Sequence, residues 1–566
     1  MANRPCAPFP VLALALSAAL SGWACRENLV RPRGPVASVT LTPDSATLLR
    51  GDSAQFVATA RNAAGSPLAT AAVTWATSDS TVATARQTGI VRAVAPGVAT
   101  ITATSDSHSA TARVAVLPRV TAIRVVPRDV ALVRGGSLPL TAQGLEESTG
   151  SVTSLRGVAW ASSDPGVAVV AGTGVVTAVA DGDAWVRAQS ESLRDSARIR
   201  VQVVRFTQVS AGPYQSTCAT GPGGAFCWGY DGFSGNLGTG ALVDMVLTPV
   251  RVDGGDRFVF VTAGDAFGCG LTGGGSAWCW GDGTYGRRGD GRPDTAVSSP
   301  VPVAGSRVFQ VLSAGRRHAC GLTSQGDAWC WGGNSTGAIG LPTSTETSAV
   351  PVPAQESLFF TSVGAGFLHT CALDTDGIAQ CWGRGFQLGD SVGVSRHRAA
   401  PVAGGHRFRM LSVGWNHTCG LTADSTAWCW GFNLSGEAGV AAPSVVLVPT
   451  AVAGAPRFAS IHSGYSSTCG LTAAGAAYCW GSNNAGQLGT GDTLSGPAPR
   501  PAAGALRFTA VSLGNEHACG LGVDALLYCW GSAEYGMLGN GARSGSVAVP
   551  TPVSGQVPVT VPRMRR

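Results

Sequence analysis

Sixteen cysteines occur in 566 residues, and apart from Cys6 and Cys25 they fall into pairs: Cys218 with Cys227, Cys269 with Cys279, Cys320 with Cys330, Cys371 with Cys381, Cys419 with Cys429, Cys469 with Cys479, and Cys519 with Cys529. Thiols can hold a metal, run redox exchange or bridge, and spacing separates these chemistries. Zinc sites use short C-x-x-C-type knuckles that come in twos, and dithiol redox sites use C-x-x-C. Here the partners stand nine or ten positions apart around a Gly-containing turn, as in "HACGLTSQGDAWCWGGN", residues 318–334. With Ser324–Gly326 as the turn, Cys320 and Cys330 oppose each other on adjacent strands, close enough to bridge. We therefore expect seven intra-hairpin disulfides, each closing a loop worth about 2.5–3 kcal/mol in the chain-entropy treatment. Trp329 and Trp331 flank Cys330, so period-two alternation puts both rings on one face and the sulfur on the other.

The remaining chemistry-bearing residues point to no reaction. His318, His369, His417 and His517 each precede a paired Cys by two residues, but the other units carry Ser216, Phe267 and Ser467 there. Equivalent positions in repeated units are spread around the fold and do not gather on one ion, so the expected role is hydrogen bonding to a neighbouring loop. "GRRGDG" (residues 286–291) contains Arg-Gly-Asp, but Gly289 aligns with a Gly of the repeated pattern, and a chance match is expected. "GNSTG" (residues 333–337) fits a nucleophile elbow, a motif that needs a strand-to-helix turn. Ser335 has no helix after it and is not read as a nucleophile. No zincin motif, phosphate-cradling loop or paired carboxylate pattern stands out. The expectation is no catalytic residue, no metal site and no cofactor.

Several features constrain the elements that must position these pairs. Charged residues are 13% and hydrophobic ones 45%, with 78 Gly and a net charge of +6. Every basic residue is Arg, scattered and without the stripe of a nucleic-acid reader, so no nucleic-acid partner is expected. Arg4, the apolar run "VLALALSAAL" (11–20) and the small residues of "SGWAC" (21–25) read as a secretory signal over 1–24. Cleavage after Ala24 is one expectation. Lipid modification of Cys25 is the other, although Gly22 stands where the lipoprotein pattern has Leu. Contact with a membrane would come only through Cys25. Either way the chain leaves the reducing cytoplasm, where an even cysteine set reads as a disulfide framework.

A tether over 25–36 precedes two units of similar length, 37–118 and 119–204. "VTWATSDSTVATARQTGIVRAVAPGVATITATS" (73–105) and "VAWASSDPGVAVVAGTGVVTAVADGDAWVRAQS" (158–190) alternate like half-buried strands between turn residues. The shared pattern of Trp, Ser-Asp, Val-Ala, Gly resembles the bacterial Ig-like domain of group 2, which implies β-sandwiches with Trp75 and Trp160 as core anchors. From 205 to 556 the first cysteines recur about every 50 residues, the period of a solenoid or propeller. Phrases such as "RFTAVSLG", "TCGLT", "AWCWG" and "NNAGQLGTG" give four strands per unit and no amphipathic helix. The Cys-Gly-Leu, Trp-Gly and Gly-x-Leu-Gly pattern resembles the regulator-of-chromosome-condensation repeat, with Arg288 standing where others have Leu488 or Leu538. The expected fold is all-β, with two Ig-like sandwiches, a seven-bladed propeller and a tail over 557–566.

This order implies a secreted or surface-tethered binding or adhesion protein in the cell envelope, with Ig-like spacers presenting a stapled propeller to an extracellular protein or glycan. It is expected to be a monomer. A propeller lyase or hydrolase, or a secreted enzyme inhibitor, is the alternative reading. Guanine-nucleotide exchange, which the repeat family's nuclear member performs, is disfavoured because a secretory signal removes the chain from small GTPases.

Overall fold

The computed structural model describes residues 34–556 apart from 147–151, 156, 203, 214 and 293–294. The signal segment, Cys25 and the tail from 557 lie outside the described residues. Two compact units divide at Arg119.

The first unit is a β-sandwich. Strand Gly97–Ser105 buries Ala99, Ile101 and Ala103 on one side, and strand His108–Leu117 answers with Ala112, Val114 and Val116. Ser45–Leu49 runs parallel to the latter, Thr74–Thr77 lies antiparallel to the former, and Ser53–Gln55, Ile90–Ala93 and Ala83–Ala85 form the facing sheet. Trp75 is half-buried and packs on this core beside Gly89. Gly89 has φ +80°, and a Cβ there would meet the Phe56 carbonyl at 2.3 Å and the indole at 2.9 Å, which accounts for the Thr-Gly-Ile phrase.

The second unit opens with a sandwich of the same plan, with Gly182–Ser190 and Leu193–Val201 as its long hairpin and Asp129–Leu132 parallel to the latter. Trp160 packs beside Gly174 as Trp75 does beside Gly89. At the far edge Leu132 also pairs with Val250, the fourth strand of the first propeller blade. One eight-stranded sheet therefore runs from the sandwich into the ring. Val130, Leu132, Val133, Val201, Val204, Phe206 and Val250 share one buried cluster across this junction.

The ring has seven four-stranded antiparallel blades. Blade three is representative, with strands Val311–Ala314, His318–Leu322, Ala328–Gly333 and Thr347–Pro353. Its outermost strand carries Pro351 and Pro353, which blunt an edge that would otherwise recruit other strands. Every blade has a bulge at its Trp-Gly pair, between Cys330 and Gly332 in blade three. Gly332 has φ +108°, and a Cβ there would meet the Arg317 carbonyl at 2.4 Å, so only Gly fits.

Packing between blades repeats one device. The Cys269–Cys279 bridge of blade two lies in one cluster with Phe309, Leu312 and Trp331 of blade three, and the Cys320–Cys330 bridge lies with Phe360, Val363 and Trp382 of blade four. The sulfurs thus face the following blade and Trp331 the preceding one, as alternation requires. Trp329 is half-buried under the Arg307 guanidinium, 3.5 Å from its ring. The ring closes when the Ala211 amide donates to Ser512 Oγ (2.9 Å) and Trp228 Nε1 donates to the Met537 carbonyl (2.9 Å).

Candidate functional site

The seven cysteine pairs sit directly opposite each other in register, with Cα atoms 4.1 Å apart in blade three, and each pair is bridged. All fourteen residues are buried. Among the described residues no group of three or more His, Cys, Asp or Glu is placed to hold a metal ion.

The four repeat histidines bond to the next blade. His318 Nε2 lies 2.8 Å from Thr370 Oγ1, His369 Nε2 3.0 Å from Thr418 Oγ1, His417 Nε2 2.7 Å from Thr468 Oγ1, and His517 Nε2 2.7 Å from Thr217 Oγ1 across the closure. Three of these threonines donate their hydroxyl proton to a carbonyl, those of Ala338, Glu437 and Met537. Their oxygens must then accept, so Nε2 carries the imidazole proton and Nδ1 is bare. Nδ1 of His369 faces the repeat glycine, where a Cβ on Gly366 would come within 2.6 Å. Burial holds these rings neutral, pushing His318 and His517 down to about 4 and His369 and His417 to about 3.

The two tempting motifs fall inside loop scaffolding. Arg288 is fully buried and paired with Asp290 (3.2 Å), so the Arg-Gly-Asp side chains turn inward. Asn334 holds the Ser335 loop, accepting from the Ile339 amide (3.2 Å) and donating to the carbonyls of Leu341, Pro342 and Thr345.

The ring's axis holds the features that can meet a partner. A cavity of about 170 Å³ is lined by the innermost strands of all seven blades, including Ser210, Thr262, Ser313, Ser412 and Ser512. These hydroxyls are used in the framework. Ser210 accepts from the Ala263 amide (3.0 Å), Thr262 from Ala314 (3.2 Å), Ser313 from Ala365 (2.9 Å) and Ser412 from Ser463 (2.8 Å), each reaching the next blade.

The residue that follows the repeat glycine lines one mouth of this channel in three blades (Pro213, Trp415 and Tyr465), and the same position recurs in every blade. Its occupants are Pro213, Asp265, Arg316, Phe367, Trp415, Tyr465 and Asn515. Their backbone is fixed by amides donating to the following blade: Asp265 to Gly315 (3.2 Å), Arg316 to Gly366 (3.2 Å), Phe367 to Trp415 (3.0 Å), Trp415 to Gly464 (3.0 Å) and Tyr465 to Gly514 (3.1 Å). On that rigid rim the side chains form a continuous arc. Phe367 stacks on Trp415 with centroids 5.3 Å apart, and Trp415 lies 4.5 Å from Tyr465. The Arg316 guanidinium sits 4.3 Å from the Phe367 centroid and 5.3 Å from that of Trp415, while donating to Asp265 (2.9 Å). Burial pushes the Asp265 carboxyl up, opposed by Arg316 and Arg287. Arg287 in turn is paired with Asp282 (2.6 Å). The mouth is charged over blades two and three and aromatic over blades four to six. Nothing in the cysteine and histidine patterns singled out this arc. Its signal is the position directly after the repeat glycine, where all seven units differ.

Comparison with known proteins agrees with this architecture. Residues 35–116 and 119–201 match the bacterial Ig-like domain (group 2). Two models of the regulator of chromosome condensation (RCC1) repeat match 325–373 and 474–521, and 258–287, 311–338, 360–387, 411–437 and 458–487. Similar curated proteins include the ultraviolet-B receptor UVR8 of Arabidopsis thaliana, 30% identical over 34% of this chain and 45% of that protein. The E3 ubiquitin-protein ligase HERC2 of Homo sapiens is 32% identical over 29% and 4%. Ice-binding protein 1 of Shewanella frigidimarina is 26% identical over 33% and 21%. The chain spans less than half the length of each of these relatives. Among solved structures, human WBSCR16 superposes with a TM-score of 0.53 at 20% identity, covering 58% of this chain and 93% of that one. Yeast RCC1 (Prp20), solved with Kap60 bound, gives 0.52 at 22%, covering 62% and 85%.

Proposed function

Starting from a chain that carries two bacterial Ig-like domains of group 2 ahead of regulator of chromosome condensation repeats, we propose that it is a binding protein of the cell envelope or exterior, recognising its partner at the aromatic mouth of the propeller channel. The observation that carries this reading is the arc of Arg316, Phe367, Trp415 and Tyr465. Arg, Trp and Tyr are the residues that most often dominate binding energy, and here they stand half-buried on a backbone already fixed by inter-blade hydrogen bonds. A preorganised rim loses little entropy when a partner docks. The split between a charged and an aromatic half suits an asymmetric partner and fixes its orientation. The secretory start, the Ig-like domains and seven bridges support a location outside the cytoplasm.

The test is capture of envelope and culture proteins and glycans by the full chain produced under oxidising conditions. Trp415→Asn and Phe367→Asn serve as comparators, because blade seven carries Asn515 at this position. A saturable partner whose affinity falls at least tenfold in either variant is expected. Retention that both variants leave unchanged moves recognition away from the mouth.

A further inference from the structure

The second sandwich displays an indole that the first lacks. In Gly182–Ser190, Ala184, Val186 and Ala188 point into the core, and Asp183, Trp185 and Arg187 point to solvent. Trp185 is 53% exposed. Its amide donates to Ser163 Oγ (2.8 Å) and its carbonyl accepts from the Ser163 amide (2.8 Å). Across the other edge Trp185 pairs with Arg198, and Arg187 lies between Ala161 and Ser196.

The first sandwich repeats this framework atom for atom. The Thr100 amide donates to Ser78 Oγ (2.9 Å), the Ser78 amide donates to the Thr100 carbonyl (2.9 Å), Thr100 pairs with Arg113, and Thr102 pairs with Thr111. Thr100 and Thr102 therefore occupy the places of Trp185 and Arg187. The same backbone framework thus stands in the first sandwich without the indole or the guanidinium.

What surrounds the indole defines what it fits. Ala161, Ser162, Ser163, Arg187 and Ser196 line with it a shallow depression of about 430 Å³, and their small size leaves the ring face open. Two carboxylates of this face are engaged: Asp183 by Arg198 (2.9 Å) and Arg200 (3.6 Å), and Asp195 by Arg128 (2.7 Å). Arg187 makes no ion pair among the described residues, so its guanidinium stands unpaired beside the indole. A protein hot spot rests in apolar contacts that exclude water, and this rim is hydroxyl and charge. A sugar ring has a flat C–H face and a polar circumference, which match an open indole bordered by serines. A carboxylate on that sugar would give the Arg187 fork a two-pronged partner. We propose that Trp185 and Arg187 form a binding subsite for a carboxylated polysaccharide, with a sugar ring stacked on the indole and its carboxylate on the guanidinium.

Affinity electrophoresis of the full chain through gels containing polygalacturonate, alginate or hyaluronate tests this, with neutral hydroxyethyl cellulose as control. Retardation by at least one acidic polymer and not by the neutral one is expected. Trp185→Thr should weaken it at least tenfold, and Arg187→Thr at least fivefold. Both variants install the residues of the sibling sandwich, and an unchanged melting temperature shows that they fold. No retardation by any of the three acidic polymers, equal retardation in the neutral gel, or full retention by Trp185→Thr would each overturn the proposal. So would a protein ligand lost in Trp185→Thr with no polysaccharide bound.

Discussion

The bridge between Cys320 and Cys330 leans on Phe360 and Trp382 of blade four, so it staples one blade and forms part of the wall between two. Replacing both cysteines with Ser removes about 2.5–3 kcal/mol of loop-closure stabilisation and puts two hydroxyls into an apolar layer. The expected result is local. Amide exchange should speed up in His318–Leu322, Ala328–Gly333 and the facing strand Phe360–Ala365, while blades six and seven keep their protection. Acceleration spread evenly around the ring would show that the blades do not open separately. The hairpin partners were legible in the sequence because turn, spacing and alternation are local and recur seven times. The arc of Arg316, Phe367, Trp415 and Tyr465 was not, because its members come from four blades and share only their place after a repeat glycine. Trp185 was equally silent, since its exposure is defined by the small residues Ala161 and Ser196 on neighbouring strands and Ser163 just beyond one of them.

Between elements, the contacts that join blades follow a rule that no single repeat contains. Where one blade has His two residues before its Cys, the next has Thr immediately before its own. His318 meets Thr370, His369 meets Thr418, His417 meets Thr468 and His517 meets Thr217. Where the first residue is Ser216, Phe267 or Ser467, the partner is Gly268, Ala319 or Ala518. Reading the histidines as structural hydrogen-bonders was within reach of the sequence. Identifying the partner was not, because it lies about fifty residues on and becomes a neighbour only when the ring forms. Thr370→Ala leaves the His318 Nε2–H buried without an acceptor and should cost about 1–3 kcal/mol. The double change His318→Ser with Thr370→Ala, which copies Ser467 and Ala518, should recover most of that loss. Acidity probes the same contacts. The unfolded chain protonates its histidines near pH 6.5, whereas folded His318 waits until about 4 and His369 until about 3. Between those values the unfolded state binds more protons, so stability is complete above pH 6.5 and falls as pH drops through the window. Each buried His contributes a slope of about 1.4 kcal/mol per pH unit. Chemical melts of the double variant from pH 7 to pH 4 should show a slope shallower by one histidine.

For the whole molecule, the passage from second sandwich to ring decides how many independent bodies the chain has. The sequence marks residues near 204 by a change from sandwich phrases to propeller phrases, and that change is where composition shifts. The pairing of Leu132 with Val250 and the buried cluster around it are set by tertiary packing and leave no local trace. The far end of the ring joins the same junction, because the Val204 amide donates to the Gly555 carbonyl (3.0 Å). Gly555 has φ +80°, and a Cβ there would lie 2.1 Å from Val133 Cβ. Gly555→Ala therefore forces a residue with a Cβ into a left-handed conformation, at about 1–2 kcal/mol, and pushes the sandwich off blade seven's exit. The expected consequence is a lower melting temperature for residues 120–556 and faster proteolysis around 202–206, with the first sandwich, 34–119, melting as before. Residues 120–556 should unfold in one transition in the parent, because a shared sheet and a shared core leave the second sandwich no separate boundary to melt along. Two well-separated transitions in calorimetry would mean that the junction is a docking contact and not a continuous fold. The second sandwich would then be a spacer, free to move against the outer edge of blade one.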